Sequence, residues 1–116
     1  MEDTDFHGPA EKMERFATNY GPRPQGGLRP IDEPETTRYA TMPSCLSGGG
    51  GLVSTASDYM RFCLMLLNGG KFGETRLLKG KTVRMMTCNQ LPEQAYPIGS
   101  GGCAGVGFGL GFSVRV

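Results

Sequence analysis

Apolar positions along this chain fall into a few patterned stretches separated by long unpatterned ones. The clearest pattern runs from Thr55 to Gly70. Tyr59, Phe62, Cys63, Leu66 and Leu67 recur at i, i+3, i+4, i+7 and i+8, the spacing of one buried helical face. This predicts a helix over about Ala56–Leu67. Thr55 is its N-cap, and Asp58 stands where a carboxylate meets the positive first turn, a near relative of the capping box. Asn68-Gly69-Gly70 supplies residues that tolerate positive φ and stops it. A shorter helix is expected over Pro9–Tyr20, with Met13, Phe16, Ala17 and Tyr20 on one face and Glu11 and Arg15 as an i, i+4 pair. A further helix is expected over about Lys81–Cys88, with Val83, Met85 and Met86 as its apolar side. Lys71–Arg76 reads as a turn with Gly73 at its tip, and Leu77 and Leu78 are expected to be buried.

At the C-terminus, Phe108, Leu110, Phe112, Val114 and Val116 alternate with Gly109, Gly111, Ser113 and Arg115. That is a strand with one buried face and no evident partner, and such a strand is an aggregation liability unless paired. Between these elements, residues 21–37 (GPRPQGGLRPIDEPETT) show neither period. They read as a long variable loop or partly disordered segment, either a cleft border or a solvated surface loop. Residues 91–106 also read as loop. Residues 1–8 read as an extended segment anchored by Phe6.

Composition narrows the picture. The chain has 116 residues, enough for at most one modest domain, and carries 19 glycines and 8 prolines. Its formal net charge of +1 offers no field to gather nucleic acid or anionic lipid. No apolar run approaches the ~20 residues needed to span a bilayer. No signal-peptide pattern opens the chain, which leaves the compartment open, with the cytoplasm as the default. Cys45, Cys63, Cys88 and Cys103 form no C-x-x-C pair and lie far from His7, so zinc spacing is absent. No cofactor is expected. Reduced thiols are the default, with a disulfide between loop cysteines left open.

Candidate chemistry is sparse. His7 is weighed as a general base against the commoner role of a loop bystander. The run Gly48–Gly51 has two readings, an anion site before a helix or a close-packed crossing where no Cβ fits, and the second is preferred. Gly80-Lys81-Thr82 is not a phosphate loop, because the glycine required at position 75 is Thr75.

The stretch Ser47–Gly70 resembles the glycine-rich loop and helix of the β-lactamase-related serine hydrolases: class C β-lactamases, family VIII carboxylesterases and penicillin-binding DD-peptidases. Met1-Glu2-Asp3-Thr4-Asp5-Phe6 is similar to the G-M-x-D-T-x-F segment after that family's second catalytic motif. Leu66-Leu67-Asn68-Gly69-Gly70, Leu77-Leu78, Thr82-Val83 and Met86-Thr87 resemble its LLNGG…LL…TV…MT block. Phe108-Gly109-Leu110-Gly111-Phe112 resembles the strand before its third motif. Lys79-Gly80 stands where the family has Ser-Pro, so a weaker cap is expected there.

The resemblance implies an α+β fold, here a partial β-lactamase/transpeptidase-like domain over residues 1–116 with short helices, long loops and a C-terminal strand of an antiparallel sheet. It also implies acyl transfer by a serine nucleophile in the whole enzyme. Yet no serine is followed by lysine three residues on, no Tyr-x-Asn or Ser-x-Asn occurs, and Lys81-Thr82 is followed by Val83. No catalytic, cofactor-binding or metal residue therefore carries over. The expected contribution is a cleft wall, from the loop before Gly48 and from residues 91–106. Two functions follow: an inactive piece of a serine hydrolase whose partner is the rest of that domain, or a non-catalytic interaction module that pairs or self-associates through the C-terminal strand.

Overall fold

The computed structural model describes residues 1–95 and 105–116. They form an α+β chain of short helices and three two-stranded antiparallel sheets, divided into two compact units, Met1–Tyr59 and Met60–Val116.

In the first unit the entry segment is tied down by a bridge between Asp5 and Val53, with N–H···O bonds of 3.2 and 2.9 Å. Phe6 is half-buried, as an aromatic anchor should be. The helix expected over Pro9–Tyr20 is only a 3-10 helix, Ala10–Arg15, and Phe16 is already extended. Its tighter winding brings i and i+3 together, which takes Glu11 and Arg15 out of register. Arg15 donates instead to Asp3, at 3.0 Å.

Tyr20 belongs to strand β1 (Asn19–Pro22), which pairs with β2 (Leu28–Asp32). The segment read as irregular thus holds a hairpin. Gly26 and Gly27, at φ +88° and +81°, turn it, and Arg23 N–H closes it on Gly27 O at 3.0 Å. Nearly every side chain of both strands is exposed, so no alternation marks them. Pro22 and Pro30 lack the N–H that a wider sheet would need.

Helix α1 spans Ala56–Leu67, the range its periodicity predicts. Thr55 Oγ1 accepts from Asp58 N at 3.2 Å, the expected N-cap. Its orientation differs from expectation. Asp58 and Met65 are buried and Phe62 and Leu66 half-buried, whereas Tyr59 and Cys63 are exposed and Leu67 is 81% exposed. The helix is apolar nearly all round, and a count of apolar spacing cannot choose between two apolar sides. The side bearing Met60, Leu64 and Leu67 meets water.

In the second unit α1 ends in a Schellman motif. Gly70 N donates to Met65 O at 2.8 Å and Gly69 N to Leu66 O at 3.0 Å, with both glycines at positive φ. The expected turn is a small hairpin, β3 (Lys71–Phe72) with β4 (Thr75–Arg76), reversed at Gly73 with φ +56°. Leu77 is 68% exposed, contrary to expectation, while Leu78 is half-buried.

Helix α2 covers Gly80–Met86. Its N-cap, Lys79, makes no side-chain cap bond, as the missing Ser-Pro step implies. Val83 is buried and Met86 half-buried, but Met85 is exposed.

The C-terminal stretch is not one strand. It is a hairpin of β5 (Val106–Phe108) and β6 (Ser113–Arg115), so the missing partner lies within the stretch itself. Gly109 N bonds Phe112 O at 2.7 Å, and Gly111 takes φ +89°. Burial follows the alternation only in the second half, where Phe112 and Val114 are half-buried and Ser113 and Arg115 exposed; in the first half it is inverted, with Gly107 and Gly109 buried and Phe108 and Leu110 exposed. A Cβ on Gly109 would collide with Met86 O, because the hairpin is bonded onto the end of α2 through Leu110 N to Met86 O, 3.0 Å. Close backbone approach therefore selects the glycine side.

Candidate functional site

Two clefts lie in the first unit. The larger, about 560 Å³, runs between the entry segment, the 3-10 helix and the start of α1. Asp3 sits on it. Its carboxylate accepts from Lys12 Nζ at 2.6 Å and Arg15 Nη2 at 3.0 Å. These bonds, Lys12's first, hold the Asp3 carboxyl at about 2, below its ordinary 3.8.

A carboxylate with a lowered folded pKa stabilises the fold above its unfolded pKa and loses that contribution as pH falls through the folded one. We expect urea midpoints of the wild type to drop between pH 4 and pH 2 more than those of Asp3→Asn. Parallel pH profiles for the two would dismiss the pairing.

The backbone of this entry segment is held separately. Asp58, 3% exposed, accepts from Asp3 N at 2.8 Å and Thr4 Oγ1 at 3.0 Å, and Thr4 shares a further bond of 2.8 Å with Ser54. Residues 3 and 4 are thereby fastened to the first turn of α1.

The second cleft, about 440 Å³, is lined by residues 38–51 together with Phe6. Thr37, buried, caps the short 3-10 helix Arg38–Ala40 by accepting from Tyr39 N at 3.3 Å. Tyr39 OH donates to Gly50 O at 3.2 Å, and its ring lies 6.2 Å from that of Phe16. Arg38 lies over the Tyr39 ring, 4.9 Å from its centre.

The glycine run is open here. A Cβ on Gly48 or Gly50 would meet nothing within 4 Å. Only Gly51 is confined, 2.8 Å from Ser47 O, to which its N–H also bonds. The close-packed reading therefore fails for most of the run. The anion reading fails also, since the run stops well before Ala56 and the buried Asp58 carboxylate already occupies that helix end.

His7 is half-buried, and its shielded Nδ1 has no hydrogen-bond partner among the described residues. A general base needs its other ring nitrogen oriented by a partner, and none engages this one. Cys45, Cys63 and Cys88 are free and exposed. Among the described residues no His/Cys/Asp/Glu cluster could hold a metal, and no helix is long and apolar enough to cross a membrane. The loop before Gly48, one part of the expected cleft wall, lines the second cleft. Most of residues 91–106, with Cys103, lies outside the described residues.

These elements can be set against known proteins. The Beta-lactamase family profile matches residues 1–114. The chain belongs to the Beta-lactamase family. Two relatives, both from Mycobacterium tuberculosis, are similar to it: the proteins named MT1414 (strain CDC 1551 / Oshkosh) and Rv1367c (strain ATCC 25618 / H37Rv). Each is 38% identical over 117 residues, covering 98% of this chain. The chain spans only 29% of the length of either relative. Neither name states an activity. Within the Beta-lactamase family, then, this chain corresponds to under a third of the relatives' length.

Proposed function

We propose that this chain is the non-catalytic middle of an acyl-transfer serine hydrolase, the part between the second and third catalytic motifs, and has no hydrolase activity by itself. The whole enzyme would cleave esters, β-lactams or peptides through an acyl-enzyme. The observation that carries this reading is a family match over residues 1–114 in a sequence with no Ser-x-x-Lys. The order of the family-like blocks, from Asp3-Thr4 through Leu66–Gly70 to Phe108–Phe112, supports the same placement. So does the bare side of α1: Met60, Leu64 and Leu67 form an exposed apolar stripe beside the half-buried one, and the remainder of the hydrolase domain is the partner that would cover it.

The test is turnover of nitrocefin and p-nitrophenyl acetate by the purified chain, with a fluorophosphonate probe for an activated serine. The expected result is background hydrolysis and no labelled residue. Turnover accompanied by stoichiometric labelling of one serine overturns the reading.

A further inference from the structure

We propose that the cleft of residues 38–51 is a binding subsite for a small carboxylate with an apolar body, and that Arg38 is its anion-binding group. Taking that carboxylate as part of a substrate rests on the acyl-transfer reading above; the binding itself does not.

Arg38 is exposed, but its guanidinium is tethered. Its Nη2 donates to Gly50 O at 3.2 Å and to Tyr39 OH at 2.9 Å, and the guanidinium rests on the Tyr39 ring. Tyr39 is fixed in turn, through its backbone N–H on Thr37, its hydroxyl on Gly50 O, and its carbonyl, which accepts from Gly8 N at 2.7 Å. The guanidinium has therefore given up much of its rotamer freedom before any ligand arrives, which lowers the entropic cost of binding.

All of these hydrogen bonds use Nη2. The donors on Nη1 and Nε have no partner, and no carboxylate lies within ion-pair distance of Arg38, among the described residues. Asp32 acts on it only at longer range. A preorganised cation with unspent donors is suited to a carboxylate.

The surroundings set the ligand class. Among the described residues Arg38 is the only group of fixed charge lining this cleft, beside the apolar Phe6 and Pro43 and the hydroxyls of Thr41, Ser44 and Ser47. One cation beside an aromatic ring and a wall of mixed apolar and hydroxyl groups fits a monoanion carrying an organic body better than a multiply charged phosphate. At about 440 Å³ the space is of small-molecule size, against roughly 300–1,000 Å³ for ligand pockets. The larger cleft lacks this character, because Lys12 and Arg15 are both spent on Asp3 and Glu2 and Asp5 add negative charge.

The test titrates benzoate into the isotope-labelled chain at constant ionic strength, following amide shifts by NMR. Benzamide is the neutral isostere. Saturable shifts confined to residues 38–51 and the neighbourhood of Phe6 are expected, at least tenfold weaker in affinity for benzamide and for Arg38→Gln. Arg38→Lys should fall between, since it keeps the charge and loses the clamp. Absence of saturable shifts, shifts spread over the whole chain, or equal affinity for benzoate and benzamide overturns the proposal. So does undiminished benzoate binding by a folded Arg38→Gln. Should that variant not fold, the benzamide comparison and Arg38→Lys decide. No turnover is read, so failure here leaves the acyl-transfer reading standing, and a labelled serine would sink that reading without touching this one.

Discussion

Replacing Gly70 with alanine is expected to destabilise the chain by about 3 kcal/mol or more. Two costs act at once. Gly70 has φ +93°, where a residue bearing a Cβ is strained. The new Cβ would also strike Leu78 O and lie 2.7 Å from Leu78 C, both backbone atoms that cannot swing away. Moving Leu78 would break more than one contact, because Gly70 O accepts from Leu77 N at 2.9 Å and Leu78 N at 3.1 Å. Urea unfolding of Gly70→Ala beside Gly48→Ala checks it. Gly48 is exposed, has no atom near its would-be Cβ and lacks positive φ, so its variant should stay within about 0.5 kcal/mol of wild type. Equal midpoints for the two variants would refute the account of the Schellman turn.

Removing the Asp58 carboxylate comes next in size. Asp58→Ala should cost about 2–4 kcal/mol, since a hydrogen bond to a charged group contributes about 1.5–3 kcal/mol and its partners lose their acceptor. Asp3 N and Thr4 Oγ1 both use Oδ2 of this residue, which is 3% exposed. The loss should be local. Amide exchange should accelerate first over residues 1–8 and at the first turn of α1. Asp58→Asn, which keeps one acceptor oxygen, should be milder. Uniform acceleration across the chain, or none, would show that the entry segment is held by something else.

Local chemistry was the part of this fold most legible in the sequence. Thr55, Asp58 and Asn68-Gly69-Gly70 bound α1 to the residue because caps and positive-φ stops are decided within a few positions. Gly73 marked its turn for the same reason. What depends on distant contacts was hidden. The β1/β2 hairpin is solvated on both faces, so its residues carry no period. The face that α1 buries is chosen by neighbours, not by its own spacing. The C-terminal alternation was visible and holds at Phe112 and Val114, but it fails at Gly109, which is buried because Met86 O needs the space. The site was read only as far as its absences and its wall. Missing motifs are a matter of spelling, whereas the clamping of Arg38 by Gly50 O joins residues twelve apart and appears only once the loop has folded back.

The uncovered side of α1 bears on colloidal behaviour. With a formal net charge of +1 and an isoelectric point near 7.7, copies of this chain repel one another little at neutral pH. Attraction between greasy patches then goes unopposed. Sulfate, which strengthens such attraction, would salt the chain out, whereas a buffer well away from its isoelectric point would keep it dispersed.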